Sequence, residues 1–284
     1  MKLGFSNGQQ FKAKIRQLAQ EKHLDPQLIL QEVVLDEIVD RIARSEYKDN
    51  LILKGGFLIA SMLGVDTRST RDLDTAIKGL PVTKEEVCQV FTNIAAMNGS
   101  DSEITMRITK VDDIRVAADY AGFRIHLRAN IYASVVDTKI DVSTGDVITP
   151  REISWHHHTI VNNQDITVMA YNVETILAEK LETMVARKDL NTRLKDYYDL
   201  FVFDKVQIQN INFDTLKSAL LATVKQRDTE QLVPYYIDTI EELCKSTHLK
   251  DLWHKYQDRN AYAQGIPFEA TCDAAIDLVK RCKL

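Results

Sequence analysis

The sequence predicts an α+β protein, with helices first, a mixed sheet next and a helical C-terminal domain last. Three observations lead to this. Residues 11–42 carry apolar side chains at helical spacing, residues 51–168 break into short alternating runs, and from Tyr171 helical spacing holds almost to the end. A chain of 284 residues is long enough for two parts. The boundary falls between residues 1–170, the N-terminal helices and the sheet, and residues 171–284, the helical domain.

Phe11, Ile15 and Leu18 mark a first helix reaching His23, and Asp25-Pro26 supplies an N-cap and a first-turn proline for a second. Ile29, Leu30, Val33, Val34, Ile38 and Ile42 form the second helix's apolar stripe. Leu51-Ile52-Leu53 is a short β run, Lys54-Gly55-Gly56 a turn, and Phe57 to Leu63 returns to helical spacing. A polar connection, 66–71, leads into Asp72–Ile77, where Leu73, Thr75 and Ile77 alternate with Asp72, Asp74 and Ala76. That is a strand with one polar face. Thr83 with Glu86 three residues on reads as a capping box for a helix to Met97. Alternation returns at Ile104–Ile108, Arg124–Ile131 and Lys139–Val142, before the helix Val173–Lys188.

Hydrophobic residues make up 45% and charged residues 27%, the balance of a soluble globular protein. A net charge of −5 argues against a uniformly basic surface for non-specific nucleic-acid binding but leaves room for a local basic patch. Arg68, Arg71, Arg187, Lys188, Arg193 and Lys195 are candidates for such a rim. The four cysteines are scattered and form no C-x-x-C pair, which points to free thiols in a reducing compartment. Met1–Gly8 has no apolar signal core, and no apolar run is long enough to span a bilayer. The expected location is the cytoplasm, with no membrane partner.

The chemistry concentrates in Lys54-Gly55-Gly56 followed by Arg68-x-Thr70-x-Asp72-x-Asp74. Carboxylates two apart on a strand share a face, so Asp72 and Asp74 can ligate one cation or bridge two. Magnesium favours such hard oxygen ligands together with substrate phosphates. Gly55 and Gly56 before a helix expose backbone N–H groups and leave room for a phosphate. Alone, the glycines are a tight turn and the aspartates a solvated strand face; in this order they point to a nucleotide site. Asp141, within the β run Lys139–Val142, is a candidate third carboxylate, with Asp137 and Asp146 as neighbouring competitors. On the helix 173–188, Lys180 falls in the apolar stripe of Ile176, Leu177, Leu181 and Met184, so it needs a partner. A nucleoside triphosphate or a structural ion pair would each serve. Arg193, Asp196 and, less closely, Asp199 share one side of the next helix. His156-His157-His158 reads as strand or loop rather than zinc site, because alternate members face opposite ways. Trp253, Tyr256 and Tyr262 read as core.

These ordered motifs, with Asp141, Lys180 and Arg193-x-Lys195-Asp196-x-x-Asp199, resemble the AbiEii/AbiGii toxins, nucleotidyltransferases of bacterial toxin–antitoxin and abortive phage infection systems. The resemblance implies a polymerase-β-like nucleotidyltransferase core within 1–170 and a helical domain, 171–284, contributing Lys180 and Asp196. It implies that NTP is bound with Mg2+ and that nucleotides are added to RNA, the tRNA 3′ end above all, which blocks translation and growth. It also implies a cognate antitoxin encoded nearby. By position, Asp72, Asp74, Lys180 and Asp196 would be catalytic, with Asp72, Asp74 and Asp141 on the metal. Gly55, Gly56, Ser69, Thr70 and Lys180 would bind the nucleotide; Ser69 and Thr70 enter because the chain has Gly55-Gly56 where the wider superfamily has Gly-Ser. The same residues would suit transfer to a protein hydroxyl or small molecule, or a non-catalytic NTP-binding regulator.

Overall fold

The computed structural model describes residues 1–80, 83–97, 103–114 and 122–284. The chain divides into two compact units: Met1–Asp146 with Ile153–Ala170, and Val147–Glu152 with Tyr171–Leu284. The short segment 147–152 thus groups with the helical unit.

The first unit opens with α1 (Gly8–Glu21), capped by Asn7, and α2 (Pro26–Arg44), capped by Asp25 with Pro26 in its first turn. Then follow β1 (Leu51–Lys54), α3 (Gly55–Leu63), β2 (Asp72–Ile77), α4 (Lys84–Ala96), β3 (Ile104–Ile114), β4 (Gly122–Ile131), β5 (Ser134–Thr144), β6 (Ile153–His158) and β7 (Asp165–Ala170). Thr83 and Glu86 form the capping box of α4. The strands make one seven-stranded sheet in the order β3-β4-β5-β2-β1-β7-β6. It is mixed: β2 runs parallel to β5 and β1 parallel to β7, while the other neighbours are antiparallel. A parallel pair cannot be closed by a hairpin, so β2 and β1 become central only because the intervening chain crosses over.

The second helix is buried well beyond its apolar stripe. Gln31, Glu32, Asp36, Glu37, Asp40 and Arg41 are buried along with Val33, Val34 and Leu35. It packs against α1, α4, β5 and β7, and the charges of Glu37, Asp40 and Arg41 are tolerated because they are paired. Arg41 Nε donates to Glu37 Oε1 at 2.8 Å and Nη2 to the Ile104 carbonyl at 2.7 Å. The histidine triplet lies on β6, and its middle member differs from a surface strand. His157 is buried, its Nε2 2.7 Å from Asp36 Oδ1 and its Nδ1 2.8 Å from Ser61 Oγ.

The second unit holds α5 (Val173–Arg187), α6 (Leu194–Val206), α7 (Phe213–Gln226), α8 (Tyr236–Lys245), α9 (Thr247–Arg259) and α10 (Phe268–Cys282). The last packs against α6, α7 and α8. Trp253 is buried, stacks on Tyr256 and donates from Nε1 to the Ile266 carbonyl at 2.8 Å, a packing role. Cys88, Cys244, Cys272 and Cys282 are free thiols. No helix of the described residues is long and apolar enough to cross a membrane.

Candidate active site at the β1–α3 junction

The first strand ends at Lys54 and α3 begins at the next residue, so the glycine pair is a strand-to-helix junction rather than a free turn. Lys54 is the register partner of Asp74 on β2. Gly55 has φ +64°, and a Cβ there would lie 2.1 Å from Asp74 Oδ2. The Gly56 N–H donates to that same oxygen at 3.2 Å. Asp74 therefore reaches in from the adjacent strand and caps α3, where the helix dipole favours an anion. Gly56 is also closely covered: a Cβ would stand 2.9 Å from Thr70 Oγ1. Thr70 Oγ1 in turn donates to the Asp72 carbonyl at 3.3 Å. Arg68 is buried, and its guanidinium bonds the Ser69 carbonyl.

On β2, Leu73 and Thr75 point into the core, while Asp72 is exposed and Asp74 half-buried on the opposite face. The parallel partner β5 sets Lys139 beside Asp72 and Asp141 beside Asp74, with neighbouring strands ~4.8 Å apart. Asp141 thus shares the face of the carboxylate pair, but both its oxygens are engaged. Arg124, opposite it on β4, donates Nε to Oδ1 and Nη2 to Oδ2, each at 2.7 Å. That bidentate bond, outweighing partial burial, with the added charges of Asp141, Asp72 and Asp74, holds the guanidinium pKa above its ordinary value. The competitors are accounted for. Asp146 accepts from Lys54 Nζ at 2.6 Å, and Asp137 binds Arg128 at 2.6 and 2.8 Å.

Among the described residues no three His, Cys, Asp or Glu side chains are grouped so as to hold a metal ion. The hard donors nearest the start of α3 are instead the pair Asp72 and Asp74, carried on one face of β2. Two hard carboxylates on an accessible face fit a magnesium ion that keeps its remaining ligands on water and phosphate.

Within the second unit, Lys180 on α5 is buried and sits 2.7 Å from Asp196 Oδ1 and 2.7 Å from Asp199 Oδ2, both on α6. Arg193 Nε approaches Asp196 Oδ2 at 3.1 Å. Burial alone would lower the lysine's pKa; the two carboxylates more than offset it and raise it. The partner required by a lysine on a buried stripe is therefore this ion triad, and Asp199 takes a larger share in it than helical spacing suggested. Sequence reasoning missed Arg124 and the Lys54–Asp146 pair. The signal for Arg124 was available: it alternates outward on a β run that could oppose Asp141.

The mixed sheet, the outward carboxylates on its central strands and the helix springing from a glycine junction define the class, a nucleotidyltransferase fold. The fold is similar to that of a putative nucleotidyltransferase from H. pylori, with TM-score 0.51, 16% identity, and coverage of 92% of this chain and 96% of that one. It is similar also to JHP933 from Helicobacter pylori, with TM-score 0.51, 17% identity, and coverage of 92% and 94%. A family model described as nucleotidyl transferase AbiEii toxin, type IV TA system, matches residues 37–274, and the chain belongs to that family. No curated protein matches it in sequence.

Proposed function

We propose that this chain is a cytoplasmic, magnesium-dependent nucleotidyltransferase toxin that moves NMP from an NTP to the 3′ end of an RNA, tRNA above all. By blocking translation it would arrest growth and serve in abortive phage infection, under control of an antitoxin encoded nearby. The observation that carries this reading is the Asp72/Asp74 pair beside the Gly55 junction.

Asp72 and Asp74 would hold the magnesium, with Asp141 available when Arg124 releases it. When bound, the metal supplies charge neutralisation on the triphosphate and acidifies the attacking hydroxyl. The chain's own residues do the rest. Gly55 and Gly56 add no side chain of their own at the N-terminus of α3, where Asp74 and Thr70 approach, and Ser69 and Thr70 would turn their hydroxyls to phosphate oxygens. The ribose 3′-hydroxyl of the acceptor attacks the α-phosphorus, the bond to the β-phosphate breaks, and pyrophosphate leaves with the hydroxyl proton passed to solvent or a carboxylate. Lys180 and Asp196 form the second functional element, with Asp196 and Asp199 fixing the lysine's amine and keeping it charged.

Incubation with each labelled NTP and total RNA tests the proposal. Label in the tRNA pool that disappears with Asp72→Asn is the expected result; label on protein alone overturns the RNA reading.

A further inference from the structure

We propose that the cleft on the β5 side of Asp72 is the seat of the acceptor strand, where Arg71 and Lys139 bind successive phosphates of the RNA backbone. The inference rests on the reading of the chain as a transferase to RNA and adds where that RNA lies. The cleft has a volume of about 540 Å3 and is lined by α2, by Arg71 and Asp72, and by facing residues of β4 and β5. It exists because β2 begins at Asp72, opposite Lys139, whereas β5 begins at Ser134, so 134–138 have no partner on β2.

The charges in the cleft are not equivalent. Arg128 is held by Asp137, and His126 lies 3.0 Å from Asp112. Arg71 and Lys139 are exposed and, among the described residues, neither side chain makes an ion pair or hydrogen bond. Both flank Asp72: one precedes it in the chain, the other is its register partner on β5. Arg71 also springs from a fixed backbone. Its carbonyl accepts from Gln31 Nε2 at 2.8 Å and from Thr138 Oγ1 at 3.0 Å, and both donors are buried. Two cations on rigid elements beside an anionic pair form a preorganised site for a polyanion that must approach those carboxylates.

The sheet order separates this site from the place of the triphosphate. The glycine junction lies with β1 on one side of β2, and the cleft lies with β5 on the other. An in-line displacement needs the attacking hydroxyl and the leaving pyrophosphate on opposite sides of the α-phosphorus, and these two sides of β2 provide that. Single-stranded backbone suits the cleft, because the attacking hydroxyl of the proposed reaction belongs to a free 3′ end.

The test is a fluorescence-anisotropy titration of the full chain with 5′-fluorescein-labelled tRNA over a series of salt concentrations, on the wild type, Arg71→Ala, Lys139→Ala and the double variant. Magnesium-NTP binding is measured in parallel on the same preparations. Each single variant should weaken RNA binding about tenfold at low salt. The double variant should flatten the slope of log affinity against log salt by ~1.4, since each lost phosphate contact on a single strand removes ~0.7. NTP binding should stay unchanged. RNA affinity and slope equal to wild type in the double variant would overturn the groove, and so would a wild type that binds no tRNA. Wild type that binds tRNA through these residues yet labels only protein would overturn the proposed function while leaving the groove standing.

Discussion

Gly55 and Asp74 are built against each other: a Cβ on the glycine would lie 2.1 Å from the Asp74 carboxylate oxygen that accepts from the Gly56 N–H. The glycine is needed twice over, for its φ of +64° and for the approach of the aspartate. Gly55→Ala should therefore push Asp74 off α3. The expected result is a loss of nucleotidyl transfer on the order of 100-fold, the scale of a ~1 Å misplacement of a reacting group. The fold should lose about 1–2 kcal/mol from the left-handed backbone alone. Transfer rates and urea melts on the same preparation check both numbers.

Arg124 holds Asp141 by two bonds of 2.7 Å, which makes the third carboxylate's availability depend on the arginine. Arg124→Lys keeps the charge but cannot keep the fork, so it separates geometry from electrostatics. Both Arg124→Lys and Arg124→Gln should reduce transfer by about 10–100-fold, as for other residues that orient a ligating group. Arg124→Gln should also change the magnesium concentration for half-maximal rate, because it leaves Asp141 free to take part. An unchanged magnesium dependence would remove Asp141 from the metal site.

Features set by neighbours in the chain were legible in the sequence, and features set by distant contacts were not. Asp25 with Pro26, the Thr83–Glu86 capping box and the one-sided polarity of Asp72–Ile77 are local devices, and the structure carries all three. The glycine pair was recognised as a special backbone position, but its closeness to Asp74 arises from the pairing of β1 with β2. The burial of Arg41 was invisible because its acceptors lie on its own helix, at the end of α4 and at the start of β3. Lys180 stood out on its stripe, while its partners came from a second helix whose packing no periodicity specifies. His157 is the same case, with its partner Asp36 on α2.

Glu32 on α2 gives a prediction about pH. Burial, and then the charge of Asp36, raise its pKa well above the usual carboxylate range against a weaker pull from Lys22. A raised native pKa means that the folded state holds the proton more tightly than the unfolded one. Stability from this group is greatest below the unfolded value of ~4.3 and is lost as pH rises towards the folded value. Glu32→Gln removes the ionisable group while keeping its shape. The variant should melt above wild type at pH 8, and the difference should shrink as the pH approaches 4. Equal melting at pH 8 would show that the glutamate is relieved by a partner in solution.

Lys180 separates a structural from a chemical role, because its two bonds of 2.7 Å to Asp196 and Asp199 are buried. Lys180→Met leaves two carboxylates facing each other without their shared cation, an arrangement that costs about 3–5 kcal/mol when one partner of a buried pair is removed. Adding Asp196→Asn and Asp199→Asn removes the orphaned charges, so the triple variant should recover most of that loss in a urea melt. The lysine's raised pKa has its own signature. The triad's contribution is fully present below the ordinary lysine value of ~10.4 and is lost as pH climbs through the higher folded value, so wild type and triple variant should converge in stability only in strong base. Transfer activity decides the rest. A triple variant that is folded and inactive assigns the triad as a unit a chemical task, whereas one that is folded and active makes the triad a packing device of the helical unit.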